Sequence, residues 1–286
     1  IASGLSIEEA FEMIDLKPDC EYDPATSLVY GRRTLKDSDL YFVANQTDAE
    51  LKDVAITFRV SGKVPEIWDP TTGETHDAKA WTAKDGRTTM PLSFAAQQSF
   101  FVVFAKDTDA TSGEPNATSN DFELTTIAEL DSDWDVTFDS GEIARGPKET
   151  VKFDALTDWS LSDDDAIKYY SGTAVYRTTF DLDAAPQGKV FLSLGAVSEM
   201  AKVKINGEYV GGVWTAPLRL DVSGFVKEGE NTIEIDVVNC WVNRLIGDSK
   251  LPEDQRKTWC PVNTYTPDSP LKKSGLFGPV VIAEEK

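Results

Sequence analysis

The sequence predicts an all-β protein of two β-sandwich domains with one short helix at its start. Three observations lead there. Apolar residues alternate with period two over most of the chain, Gly, Pro, Asn and Asp punctuate that alternation at short intervals, and no strand-helix-strand repeat is present. A length of 286 residues fits two domains, and the 41% hydrophobic and 10% aromatic content exceeds what disordered chains carry, so each half can bury a core.

The first element is the helix. Ser6 stands as its N-cap with Glu9 as the capping-box partner three residues on, and Ile7, Ala10, Phe11 and Ile14 share one face. Lys17-Pro18 marks its end. That apolar face needs something to pack on, and the chain opens at Ile1 with neither Met nor a leader-like region. Residues 1–20 are therefore expected to be the remnant of a preceding domain.

From Leu28 to Ala105 the period is two. Leu40, Phe42 and Ala44 alternate with Tyr41 and Val43, and Val54, Ile56, Phe58 and Val60 alternate with mostly polar neighbours. Turn signals at 45–48, 61–62 and 69–73 separate the runs, which predicts a small Ig-like sandwich over residues 21–107. Residues 108–120, dense in Ser, Thr, Asn, Asp, Gly and Pro, read as a linker, and the Asn116-Ala117-Thr118 sequon within it carries little weight.

Alternation returns over residues 121–286. Tyr176, Thr178, Phe180 and Leu182 mark one strand face, followed by Val190, Leu192 and Leu194, then Val203 and Ile205, then Leu218, Leu220 and Val222, then Ile233, Ile235 and Val237. Asn206-Gly207 is the strongest hairpin signal, because a type I′ turn needs positive φ at both central residues.

Composition excludes several classes of function. Asp and Glu number 49 against 28 Lys and Arg, a formal charge of −21 that repels phosphate backbones and anionic lipid, so nucleic acid and membrane partners are not expected. The longest apolar run, Phe100 to Ala105, is far short of the ~18 residues that span a bilayer. The acidity suits a soluble, exported protein meeting neutral ligands, and equally suits nothing more specific than solubility. Cys20, Cys240 and Cys260 form no CxxC pair and His76 is the sole imidazole, which argues against structural zinc. A Cys240–Cys260 disulfide and two free thiols both stay open.

The stretch Ala201–Asn239 resembles the sugar-binding domain of glycoside hydrolase family 2. It carries the hairpin at Lys204-Ile205-Asn206-Gly207, then Val210-Gly211, Asp221-Val222 and Gly229-Glu230-Asn231 in the expected order. The chain as a whole resembles the C-terminal region of the α-L-rhamnosidases of glycoside hydrolase family 106. The likeness rests on Leu16-Lys17-Pro18-Asp19, Arg32-Arg33, Asp39 to Asn45, Trp68-Asp69-Pro70, Tyr169 to Tyr176, Trp241 to Asp248 and Ser274 to Val280. The resemblance implies a galactose-binding-like jelly roll for the second domain. It also implies that the catalytic carboxylates lie in an upstream barrel of the same polypeptide, so that this piece is accessory, and that the parent is periplasmic or secreted. One departure stands out: a His is expected just before Arg32-Arg33, and Gly31 occupies that place.

Within the chain, glycoside hydrolysis would need two carboxyl groups ~5–9.5 Å apart, one with a raised pKa. Asp131-Ser132-Asp133 and Asp163-Asp164-Asp165 are the densest acidic clusters, but their hydrophilic surroundings predict solvated carboxylates, and no catalytic residue is assigned. His76 beside Asp77 has no nucleophile elbow and reads as a surface histidine. Asp131 to Asp133 and the run around Asp221 are oxygen-rich enough to suggest a structural calcium, supported mainly by analogy with galactose-binding-like folds. Sugars are recognised by aromatic faces together with polar side chains that satisfy hydroxyls. Trp214, Trp241, Asn243, Arg244, Trp259 and Tyr265, in or beside loops of the second domain, are the candidates, with rhamnose-containing glycan as the ligand the resemblance implies. The competing reading places Trp241 and Trp259 in the core or in a domain contact and gives Asn243 and Arg244 the task of tying a loop to backbone.

Overall fold

A computed structural model describes residues 4–130 and 133–285, and the chain divides into two compact units, residues 1–121 and 122–286. The capping box expected at Ser6 and Glu9 forms, with both reciprocal bonds present, and starts helix α1 (Ile7–Met13). Its Ile7, Phe11 and Ile14 are exposed.

The first unit is a sandwich. Its strands are β1 (Cys20–Glu21), β2 (Leu28–Thr34), β3 (Asp39–Asn45), β4 (Leu51–Phe58), β5 (Lys63–Trp68), β6 (Thr75–Asp77), β7 (Thr82–Lys84), β8 (Arg87–Phe94) and β9 (Ser99–Asp107). They form a four-stranded sheet in the order β1-β4-β8-β7 and a five-stranded one in the order β2-β3-β9-β5-β6. Tyr41, Val43, Ile56, Phe58, Met90 and Phe104 fill the space between, with Tyr41 edge-on to Phe58 at 4.8 Å. Burial pushes the Cys20 thiol up to about 12, so this cysteine behaves as a small apolar residue.

Residues 108–120 do not hang free. Ala83 donates to Thr111 O at 2.7 Å and Gly113 to Trp81 O at 2.9 Å, while the Asn120 side chain accepts from Ala80 N and donates to Ala80 O and Pro91 O. A composition typical of linkers still supplies polar groups, and here they satisfy the open edge beside β7.

The second unit holds β10 (Leu124–Glu129), β11 (Trp134–Phe138), β12 (Val151–Phe153), helix α2 (Asp165–Lys168), β13 (Thr173–Leu182), β14 (Val190–Ser193), β15 (Ala196–Ser198), β16 (Met200–Ile205), β17 (Glu208–Val213), β18 (Arg219–Asp221), β19 (Gly229–Val238), helix α3 (Val242–Ser249), β20 (Gly275–Gly278) and β21 (Val281–Glu285). A six-stranded antiparallel sheet, β12-β11-β13-β19-β16-β17, faces a four-stranded one, β10-β21-β14-β18, across a single core. The apolar alternations predicted over 176–182, 190–194, 203–205 and 233–237 point into that core, which also buries Trp134, Trp159, Tyr170 and Tyr176. Buried Trp159 meets its polar need by donating Nε1–H to the Tyr176 hydroxyl at 2.6 Å. Asn206 and Gly207 take φ of 52° and 82°, the type I′ turn the sequence predicts, between the paired residues Ile205 and Glu208.

Candidate functional site

The polar chemistry of the second unit concentrates around α3. Strand β19 runs out at Asn239, whose buried amide donates to Tyr170 O at 2.9 Å and Ser274 Oγ at 3.1 Å and accepts from Gly172 N. Three residues later α3 begins. Asn243 donates to Lys272 O at 2.8 Å and Ser274 Oγ at 3.1 Å, and accepts from Lys272 N at 2.8 Å. Arg244 donates its backbone N–H to Ser171 Oγ, and its guanidinium lies 3.3 Å from Asp248, one turn on. Gly247 is required here, because a Cβ would stand 2.6 Å from Arg244 Nη2 and 2.7 Å from Tyr169 Cβ.

Asp248 is the second anchor. One carboxylate oxygen accepts from Lys257 N, Thr258 N and Thr258 Oγ1 at 2.7–3.0 Å, while the other faces Arg244. Burial works to raise its pKa, but the Thr258 and Lys257 bonds and the Arg244 charge outweigh it and hold the carboxyl below the ordinary range. Asn243 and Asp248 thus pin the segment that follows α3 at two points, Lys272 and Lys257-Thr258. Loops of that length in a compact domain are commonly functional.

What this clamped segment displays is aromatic. Trp259 is 85% exposed and Trp241, at the start of α3, is 52% exposed, while Tyr265 is half-buried. Trp214, in the turn between β17 and β18, is 66% exposed. The two sequence readings therefore divide. Trp241 and Trp259 are not core residues, whereas Asn243 and Arg244 are buried and tie loop to backbone, and they stand in a helix where loop was expected. Sequence reasoning missed Asp248 and Gly247 as site residues, because the Arg244–Asp248 spacing of four becomes a signal only once the segment is known to be helical.

The acidic clusters do structural work where they are described. Asp164 caps α2 by accepting from Ala166 N, and Asp163 and Asp165 are exposed beside it. Asp221 accepts from the backbone and hydroxyl of Ser223. Among the described residues no group of three His, Cys, Asp or Glu side chains gathers to hold a metal, and Asp131 and Ser132 lie outside those residues. All three cysteines are free thiols, Cys240 and Cys260 half-exposed. Among the described residues no helix is long and apolar enough to cross a membrane.

An open groove of about 600 Å³ lies over the outer face of the six-stranded sheet, among Asp135, Arg177, Lys204 and Glu234. Its charges satisfy each other: Lys152–Asp135, Arg177–Glu234 and Lys204–Glu234 pair at 2.6–2.7 Å.

Fold and surface together define the class as a pair of antiparallel β-sandwich modules. The family model described as alpha-L-rhamnosidase, glycoside hydrolase family 106, matches residues 1–82, and that described as glycosyl hydrolase 2 galactose-binding domain-like matches residues 154–266. Among solved structures, the chain is similar to a rhamnosidase from Novosphingobium sp. PP1Y, at 34% identity and a TM-score of 0.85, over 98% of this chain and 26% of that one. It is also 41% identical over 175 residues to a candidate beta-glucuronidase of Formosa agariphila, covering 52% of this chain and 15% of the relative. The resemblance read from the sequence to family 106 and to the family 2 sugar-binding domain holds, and the chain spans about a quarter or less of these relatives.

Proposed function

We propose that this chain is an accessory, non-catalytic portion of an exported glycoside hydrolase of rhamnosidase type, and that the aromatic surface around α3 meets carbohydrate. The observation that carries the reading is the clamp. Two buried polar residues, Asn243 and Asp248, hold an irregular segment whose Trp259 faces solvent, which fixes an aromatic face at low conformational cost. The family match of the first unit supports the glycoside hydrolase context, and the exposed Asp163, Asp164, Asp165 and Asp221, with Asp164 and Asp221 engaged by local backbone, support the accessory assignment.

Calorimetry of the 286-residue chain against rhamnose-containing oligosaccharides tests the carbohydrate half. Binding weakened tenfold or more by Trp259→Ala is expected, and the absence of heat with every glycan rejects it. Incubation with an aryl rhamnoside tests the accessory half: no turnover is expected, and hydrolysis by the purified chain would overturn that assignment.

A further inference from the structure

The two units treat the outer faces of their sheets in opposite ways. Across the six-stranded sheet of the second unit, Lys152, Asp135, Arg177, Glu234 and Lys204 are successive cross-strand partners, an alternating ladder of charge suited to water. The five-stranded sheet of the first unit carries the reverse. Its central cross-strand row runs Gly31, Phe42, Phe101, Trp68 and Thr75, with Phe42 36% and Trp68 37% exposed and the Phe42 and Phe101 rings 5.2 Å apart. Val29 and Ala44 flank the row on one side, Leu40 and Val103 on the other. Charge stands at its margins. Arg33 ends the Leu40–Val103 row, and Lys106 joins Glu66 at 2.9 Å and Asp77 at 2.6 Å.

We infer that this face is a docking surface for another protein domain, and that its occupant is the catalytic segment of the same glycoside hydrolase polypeptide; the occupant rests on the accessory reading above. A sheet apolar on both faces is expected where a third layer covers it. An apolar centre with a charged rim is the anatomy of a protein interface. A sugar would need several side-chain donors and acceptors for its hydroxyls, and between Gly31 and Thr75 the row offers no acceptor and only the Trp68 indole N–H as a donor. Its neighbouring rings are also tilted 55° to each other, so they present no flat platform. A second copy would bring −21 against −21, which opposes close approach at ordinary ionic strength. The matched rhamnosidase is nearly four times as long as the region it shares with this chain, so polypeptide of the needed kind accompanies that region there. At Gly31 a Cβ would meet nothing within 4 Å, so that end of the aromatic row is open to an approaching partner.

The test titrates the 286-residue chain with the catalytic segment of the same gene product, made as a separate polypeptide, by calorimetry. Wild type and the opposite-unit control Glu234→Gln should bind alike, while Phe42→Asp and Trp68→Asp should weaken binding at least tenfold with unchanged circular dichroism. Phe42→Gln serves if the aspartate variant fails to fold. Equal binding by all variants removes this face and leaves the accessory reading standing, whereas no binding by wild type removes the docking partner altogether. A dimer of the chain that Phe42→Asp dissociates would hand the face to a second copy and overturn the assignment.

Discussion

At the scale of single residues, Gly247 and Asp248 decide whether the segment after α3 is held. Gly247→Ala places a methyl group against Tyr169 Cβ at 2.7 Å, a backbone-proximal atom that cannot swing aside. A loss of about 1–3 kcal/mol is expected, read from denaturant midpoints at constant slope. Asp248→Asn sets an amide against the Arg244 guanidinium and removes a buried negative charge, for a loss of about 3 kcal/mol, or roughly 6–12 °C in a unit of this size. Differential scanning calorimetry checks it; a melting temperature within 1–2 °C (roughly half a kcal/mol) of wild type would refute the clamp. Because the folded-state pKa of Asp248 is depressed, its contribution is complete above about 4 and is lost as pH falls through the lower folded value. Acid should therefore loosen the segment that carries Trp259 before it unfolds the core, visible as a change in tryptophan emission that Trp259→Phe abolishes.

At the scale of elements, the half-exposed charge ladder on the six-stranded sheet contributes little to stability. Glu234 accepts from Lys204 and Arg177, and the Lys204 bond is the larger cause holding its carboxyl below the ordinary range. Both cations are half-exposed, so solvent screens the pairs, and Glu234→Gln is expected to cost well under about 1 kcal/mol, with the difference fading in high salt. Chemical denaturation at low and high ionic strength measures this; a salt-independent loss would point to packing instead. The elements were also the most legible part of the sequence. Val203, Ile205, Ile233 and Ile235 declare their inward face by period two, and Asn206-Gly207 declares its turn by the φ values it alone tolerates cheaply. Helix α3 was not legible. It lacks a side-chain N-cap bond, and its Asn243, Arg244 and Asp248 look like loop residues until their distant partners are known.

At the scale of the whole molecule, net charge governs association. At −21 the chain should sediment as a monomer at low ionic strength, despite the aromatic row on the first unit. A concentration-dependent dimer in dilute buffer would contradict this. The family likeness acts at this scale as well, since Leu16 to Asn45 in the first unit and Ala201 to Asp248 in the second were recognisable as strings, and the family models fall on the same two regions.

By itself the sequence determined the all-β class, the two sandwiches and the type I′ hairpin, because each depends on patterns local to a few residues, and it carried the glycoside-hydrolase kinship as short motif strings. Only the tertiary structure separated exposed Trp259 and Trp241 from buried Asn243 and Arg244, all named together as candidates. It alone aligned Phe42, Phe101 and Trp68 in one row. The physical reason is separation along the chain: Asn243 meets Lys272, Arg244 meets Ser171 and Phe42 meets Phe101 only after folding, and no local period records which distant residue will lie opposite.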